Sequence, residues 1–515
     1  MRIYSSNIHA IGRGCAEHYD HGFLISGFVH TEDPAYYYGW ILKTDVNGIE
    51  LWRKTFKDSM KLSGFFGLRA LAEGGFIAIG SSVQSDPYHD PLIMKFNACG
   101  EKEWCKIFNS PENFDYGMDI EPVHGGGYMA LINYWGFDKS KRIWIFKLDE
   151  YGDLMWQQAY ALDTLFYNED AFRLSSVFNT NVLITGYTYW PDSIPPNYYF
   201  LTPLLIKVYF DGTIDWELPW GEGSEFLGHG NQSISSNHSS IYTVCQHSRD
   251  TSPYGTSPTL IKTNTDGNQL GYINILDSTN NTSATTIDWF QDSCLAIGAG
   301  WQMLGTSQPK IGVFKVDTAG NLLQEKVLLT SFALVPNDAC VTQDNKLFLI
   351  ASIFEVEEWK WKVYAFKLNS DLEYDSIYTQ PFVYDSICPY PISSDTILLD
   401  DCEVITSIKK PEEYEEESYL KVYPNPAEDQ ITIEMPDYLF RRSSGQGITA
   451  TTIYHQWKDV RLEVFDLFGK LMHCETVPQQ RTSITLDIAS WPPGMYVARL
   501  VFMNEVVARE KFVVE

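Results

Sequence analysis

A single phrase recurs seven times along the first four-fifths of the chain. It consists of an apolar pair, a lysine, an apolar or Thr position, a polar turn that usually holds Gly, and then an aromatic residue. It reads ILKTDVNGIELW (41–52), IMKFNACGEKEW (93–104), IFKLDEYGDLMW (145–156) and LIKVYFDGTIDW (205–216). It continues as LIKTNTDGNQLGY (260–272), VFKVDTAGNLLQ (313–324) and AFKLNSDLEY (365–374). The anchoring lysines are Lys43, Lys95, Lys147, Lys207, Lys262, Lys315 and Lys367, at spacings of 52, 52, 60, 55, 53 and 52 residues. A fixed period of this length constrains the fold more than any composition does.

Within a period the residues alternate between short apolar runs and Gly, Asn, Asp or Pro clusters, which reads as strand, turn, strand. The lysine phrase is a hairpin whose Gly accepts a positive φ. Before it lies a second apolar run, such as HGFLISGF (21–28), GGFIAIGSS (74–82) or CLAIGAG (294–300), and a third lies farther upstream. Four strands per repeat cannot bury both faces alone, whereas seven such sheets arranged radially can. The expected fold class is therefore all-β: a seven-bladed β-propeller over 1–405 followed by a small C-terminal β-sandwich. The alternatives are a β-solenoid or two sandwich domains, and sandwiches lack such a period. A ring also needs closure, and the segment 381–405 is expected to supply the closing strand or a clasp.

The composition narrows the partners. With 38 Lys+Arg against 66 Asp+Glu the formal charge is −28, which repels phosphate backbones, so no nucleic acid partner is expected. No apolar run reaches the length of a membrane-spanning helix, so no membrane span is expected. The first residues, MRIYSSNIHAIGRG, hold no apolar signal-peptide core.

After Cys402 the character changes. An acidic linker is expected over 406–418, where five Glu fall between Glu412 and Glu417. From Tyr419 to the end the chain alternates apolar and polar residues as a small antiparallel sandwich does. Residues 437–458 read as a long inserted loop. This tail resembles the C-terminal sorting domain, type A, of the type IX secretion system of Bacteroidetes. The matching pieces are VYPNPAEDQITIE (422–434), VFDLFGK (464–470), PPGMYVARL (492–500) and the terminal KFVVE (511–515). The repeats in turn resemble propellers commonly joined to such tails. The resemblance implies that the type IX machinery is a partner, that the protein is secreted or placed on the outer-membrane surface, and that an N-terminal signal peptide lies upstream of Met1. It also assigns the sorting signal to Pro424, Asn425, Pro426, Gly469, Gly494, Tyr496 and Lys511, as turn and edge residues presented to the export machinery.

Nine cysteines suit an oxidising compartment. Cys99 and Cys105 sit six apart across one hairpin turn, close enough to bridge if their Cβ atoms face each other, and Cys388 and Cys402 bracket the presumed closure segment, so these two pairs are the disulfide candidates. Cys15, Cys245, Cys294, Cys340 and Cys474 read as small buried hydrophobes.

Chemical motifs are scarce. HYDHG (18–22) and YHD (88–90) set His beside Asp, but no spacing completes a zinc set and no calcium loop is present, so metal and cofactor are both expected to be none. Asp45, Asp149 and Asp317 read as caps of their own turns. The Asp-box of sialidases does not fit the spacing, and no nucleophile elbow, HExxH or Walker loop occurs. No catalytic residue is singled out.

One pattern points to a ligand. The connection between the second strand and the lysine strand is rich in aromatic residues, and equivalent connections of a ring gather at one end. Tyr37, Tyr88, Trp135, Trp190, Tyr199, Tyr254, Trp301 and Trp359 are the ligand-binding candidates, since Tyr and Trp offer flat apolar area suited to a glycan or protein surface. The bland reading is that these rings cover strand ends. The expected function is a secreted or cell-surface, non-catalytic binding or adhesion propeller. A secreted polysaccharide hydrolase or lyase is the alternative, which a cluster of carboxylates or a His/Tyr/Arg set in one pocket would favour. A structural spacer is the third reading.

Overall fold

The computed structural model describes residues 1–514 apart from 5–8, 31–36, 58–60, 86–87, 110–113, 136–140, 161–168, 178–179, 192–198, 222–227, 237–239, 249–255, 277–278, 291–292, 304–307, 332–333, 381, 407–419, 436–460, 467–469, 478–482 and 503–504. The chain divides into two compact units that part in the segment following Thr406. The proposed linker 406–418 lies almost wholly outside the described residues.

The first unit is a β-propeller. Its strands form consecutive four-stranded antiparallel sheets, each paired in sequence order from an inner to an outer strand. The inner strands are His9–Glu17, Lys61–Ala70, Phe114–Pro122, Asp170–Val177, Gly230–Ser235, Thr279–Phe290 and Leu334–Val341. Each packs beside the next, and the last packs beside the first, which closes the ring. Among the described residues these sheets are thereby related around a central channel. Up-and-down order places the turns joining strands one to two and three to four at one end, here the turn end. The connections between strands two and three reach the other, here the loop end.

The lysine phrase has one physical explanation in six of its seven copies. Its turn opens on Asp45, Asn97, Asp149, Asn264, Asp317 or Asn369, and each side-chain oxygen accepts two backbone N–H groups of its own turn. The turn glycine sits under the tryptophan of the preceding sheet. A Cβ on Gly152 (φ 79°) would lie 2.9 Å from the Trp104 ring, and one on Gly267 (φ 84°) 2.8 Å from Trp216. Only glycine meets both demands, on space and on backbone angle. The tryptophan also donates to that turn: Trp104 Nε1 to the Glu150 carbonyl at 3.2 Å, Trp156 to Phe210 at 3.2 Å and Trp216 to Thr265 at 2.8 Å. The lysines add a second tie, from Lys207 to the Thr265 carbonyl, Lys315 to Ser370 and Lys367 to Val46. The Asp, Gly, Trp and Lys of the phrase thus join one sheet to the next.

Closure departs from expectation in its strand. The seventh phrase forms no outer strand, since Tyr374 makes only an isolated bridge to Leu368. The N-terminal strand Arg2–Tyr4 fills that place, antiparallel to Lys360–Leu368. Tyr4 donates to the Gly48 carbonyl at 2.7 Å, as Tyr160 does to Gly212 at 2.8 Å in the third sheet. The residues 375–405 instead form a strap. They run along the turn end from the seventh sheet to the first, where Tyr378 and Asn47 exchange two hydrogen bonds and the Tyr384 hydroxyl accepts from Val46 N. Asp395–Leu398 then adds in parallel to Glu50–Lys57, and Glu403–Ile405 to Lys102–Phe108.

Both disulfides lie on this strap, and their pairing corrects the expectation. Cys99 bonds to Cys388 and Cys105 to Cys402. The strap passes outside the second sheet, so each of its cysteines meets one on that sheet rather than its own sequence neighbour. Of the five free thiols, Cys15, Cys245 and Cys294 are buried as expected, Cys340 is half-buried, and Cys474 is exposed.

The second unit is a two-sheet sandwich. Lys421–Tyr423, Gln430–Glu434 and Ser483–Asp487 form one sheet; Leu471–Thr476, Arg461–Asp466, Gly494–Phe502 and Glu505–Val514 form the other. Ile431, Ile433, Ile484 and Leu486 of the first meet Leu462, Val464, Ala498 and Leu500 of the second in one core. The inserted loop 437–458 lies wholly outside the described residues. No helix among the described residues is long and apolar enough to cross a membrane.

Candidate functional site

Every inner strand carries a β-bulge at the equivalent position, where one residue is left without a partner in the ladder. The extra residues are Arg13, Phe66, Met118, Phe172, Asn231, Thr285 and Asn337. Each is part-exposed after a buried neighbour. A bulge turns its side chain out of the pleat, and this ring of seven therefore shapes the channel. Sequence alone does not show it, because the seven residues share no chemistry.

Below the bulges the channel is held by polar ties. An innermost strand has a free edge, and its N–H groups need partners. Asp119 accepts from Leu174 N at 2.9 Å, Gln232 from Ile287 N at 3.1 Å and Asp338 from Cys15 N at 2.9 Å, each capping the next sheet. Arg69 bonds Asp119 at 2.8 Å and Glu121 at 2.9 Å, and these carboxylates outweigh burial and raise its pKa. Arg173 lies 3.4 Å from Asp338 and donates to the Asn337 carbonyl at 3.0 Å. Burial pushes the Asp288 carboxyl up to about 6, although Val341 N and Trp289 N donate to it. These groups already have partners within the wall.

The loop end differs. There a cavity of about 600 Å³ is lined by His9, Ile11 and Arg13 of the first inner strand, Phe28 and His30 of its neighbour, Phe66 and His89 of the second sheet, Tyr116 of the third and Trp361 of the seventh. The His9 and His30 rings lie 5.9 Å apart, edge to face, and His89 lies 4.8 Å from Tyr116. Trp361 N donates to His9 Nδ1 at 3.4 Å. The Arg13 guanidinium packs against two neighbouring rings, 5.6 Å from Phe28 and 5.5 Å from Phe66. Its Nε is buried and without a hydrogen-bond partner. Burial, with the nearby Arg173 charge, lowers the Arg13 pKa to about 10. Burial likewise raises that of Tyr116, helped by Asp115. Another cavity, of about 440 Å³, is lined only by the strap, from Ser376 to Phe382, and gathers no convergent chemistry.

The eight aromatic candidates fall into three groups. Tyr88, Trp135 and Trp359 surround this cavity through its lining residues. Tyr88 adjoins His89 in the strand Tyr88–Phe96, and Trp135 lies 5.7 Å from Tyr116. Trp359, 71% exposed, packs on Phe354, as Trp361 does. Trp301 is a correction: it is 1% exposed, packed on Phe314 in the core between sheets, because its strand Cys294–Met303 extends past it. The side chains of Tyr37, Trp190 and Tyr199, and all of Tyr254, lie outside the described residues. Sequence reasoning missed His9, His30, Arg13 and Tyr116. Only the bulge register and the ring's closure bring them together.

The His–Asp motifs are also placed. His18 is buried with Nδ1 3.4 Å from Asp20, whose carboxylate holds Lys43 at 2.5 Å, so HYDHG is an anchor of the turn end. YHD lies in a strand rather than a turn, and His89 joins the cavity wall. No cluster of metal ligands occurs among the described residues.

In the second unit the sorting candidates converge on the last strand. Asn425 Oδ1 accepts from Val513 N at 2.9 Å, and its Nδ2 donates to the Lys511 carbonyl at 3.3 Å. Pro424 and Pro426, both cis, flank it. Tyr496 stacks on Phe512 at 5.6 Å and donates to the Pro492 carbonyl at 2.6 Å, next to Gly494. Gly469 lies outside the described residues.

Residues 421–515 match a known family, Por_Secre_tail, the secretion system C-terminal sorting domain. No curated protein matches the chain. Among solved structures it is similar to the β-propeller domain of the trilobed protease from Pyrococcus furiosus, at 9% identity over 73% of this chain and 99% of that one, TM-score 0.41. It is similar also to polysaccharide lyase Uly1, at 8% identity over 68% and 88%, TM-score 0.42. A third is a protein of unknown function from Bacteroides caccae, at 13% identity over 52% and 82%, TM-score 0.34.

Proposed function

We propose that this protein is a secreted or cell-surface binding propeller whose ligand, a glycan, seats in the His9–Arg13–Tyr116 cavity at the loop end. The type IX sorting tail implies export to the outside of the cell. The observation that carries the reading is convergence: four sheets bring aromatic and polar side chains to one concave site on a ring whose other polar groups are spent on its own wall. Such a site, mostly apolar with few oriented polar groups, is what a small-ligand or sugar site requires. Trp135 and Trp359 extend it outward. A glycan array probed with the full chain, followed by calorimetry on Tyr116→Ala and Trp361→Ala, tests it. Each variant should lose about tenfold in affinity or more while keeping its fold. Undiminished binding in both would place the ligand elsewhere.

A second reading, a polysaccharide lyase, draws on a specific observation. The cavity holds a His/Tyr/Arg set, the groups that proton abstraction beside a carboxylate needs. Incubating the full chain with acidic polysaccharides and following the ultraviolet absorbance of an unsaturated product would separate the two. Turnover lost in His89→Ala and Tyr116→Phe would make the site catalytic.

A further inference from the structure

A cation withdrawn from water even in part is costly without a counter-charge, and proteins usually pair it. Arg69 and Arg173 follow that rule, with Asp119, Glu121 and Asp338 against them. Arg13 does not. Among the described residues its side chain makes no hydrogen bond and no ion pair, on a chain carrying 66 Asp+Glu. Ring faces lie against it, those of Phe28 and Phe66, whose centroids are 6.2 Å apart on one side of the guanidinium. Packed in this way it keeps N–H groups for a ligand, and its edge matches the two oxygens of a carboxylate or sulfate. The bulge has the matching consequence for position, because it takes Arg13 out of the ladder and into the cavity wall. The remaining polar side chains lining the cavity are three histidines, one phenol and one indole, with no carboxylate among the lining residues.

We infer that the cavity accepts an anionic sugar unit, with the Arg13 guanidinium gripping its carboxylate or sulfate group. The inference rests on the glycan-binding reading above and narrows it to charged saccharides. The apolar rings beside Arg13 lower the local dielectric and so strengthen the attraction. Repulsion between Arg13 and Arg173 is relieved when an anion arrives.

An array spanning neutral, uronic acid and sulfated glycans, probed with the full chain, comes first. Calorimetry then compares a galacturonate trisaccharide, its neutral galactose counterpart and the sulfated form of the latter. The wild-type chain should prefer a charged trisaccharide by about tenfold or more, about 1.4 kcal/mol, and added salt should shrink the preference. Arg13→Met should abolish the preference, and Arg13→Lys should keep part of it. The carboxylated and sulfated arms identify which anion is taken. Equal affinity for charged and neutral sugars would overturn this inference and leave the glycan site standing. A preference that survives in Arg13→Met would overturn the role of Arg13. No binding to any class on the array would overturn both. Should Arg13→Met fail to fold, the wild-type ratio of charged to neutral affinity, with Arg13→Lys, still decides.

Discussion

The two ends of the propeller are built from the same strands but obey different rules. At the turn end the same contact recurs from sheet to sheet: an Asx-capped turn, a glycine beneath the neighbouring tryptophan, a lysine reaching across. At the loop end no one residue type recurs through the sheets, and the ring's extra residues run from Arg13 to Phe66 to Asn231. Repetition marks what holds the ring together. Its absence marks where a ligand can be discriminated.

Substituting one large ring at each end should expose the difference most strongly. Trp52 is fully buried against the Gly100 turn, and Trp52→Ala should cost about 3–5 kcal/mol in urea unfolding. Trp359→Ala at the loop end should change stability by no more than about 0.5 kcal/mol. Comparable losses would erase the distinction between the ends.

The strap offers a sharper test, because it reinforces the turn end at only three of the sheets. Replacing Cys105 and Cys402 together with Ser should cost about 2–4 kcal/mol by unfolding under oxidising conditions, since the bond closes a very long loop. Limited proteolysis should then cut first within 375–405. Cleavage that still begins elsewhere would mean that the strap is held by its ion pairs, Lys43 with Asp20 and Asp385 above all.

The smallest effect is one of pH. Burial lowers Lys147 to about 8, against the pull of Asp149, while the unfolded side chain titrates near its ordinary 10.5. Between those values the unfolded state binds more protons, so stability should rise with pH across that window. Lys147→Met should flatten the rise. An unaltered profile in the variant would show that another group sets it.

These contrasts also explain what could be read in advance. Lys207 and Trp216 were legible because one geometric demand, joining a sheet to the next turn, is repeated until chance is excluded. The tail was legible for a related reason: Asn425 and Val513 meet across 88 residues, and both lie in recognisable pieces. The cysteine pairing was not. Cys99 and Cys105 are near in sequence, yet the partner of each is brought by a strap running parallel to the sheet edges, and nothing local encodes that path. Trp301 misled because a ring near a strand's end looks alike whether the strand stops or continues. The cavity was hidden for the same physical reason as the strap. His9, His89, Tyr116 and Trp361 come from four sheets, and they are neighbours only once the first and seventh sheets meet.

That meeting has a consequence for manufacture. The opening strand of the propeller must wait for Lys360–Leu368, at the far end of the propeller sequence, before it finds a partner. Chains broken off early would display a naked sheet margin, the kind of template on which polypeptides clump. The shipping address is written after every strand of the wheel. A molecule that bears it already possesses all the parts needed to close, and a fragment lacking them also lacks the label for dispatch.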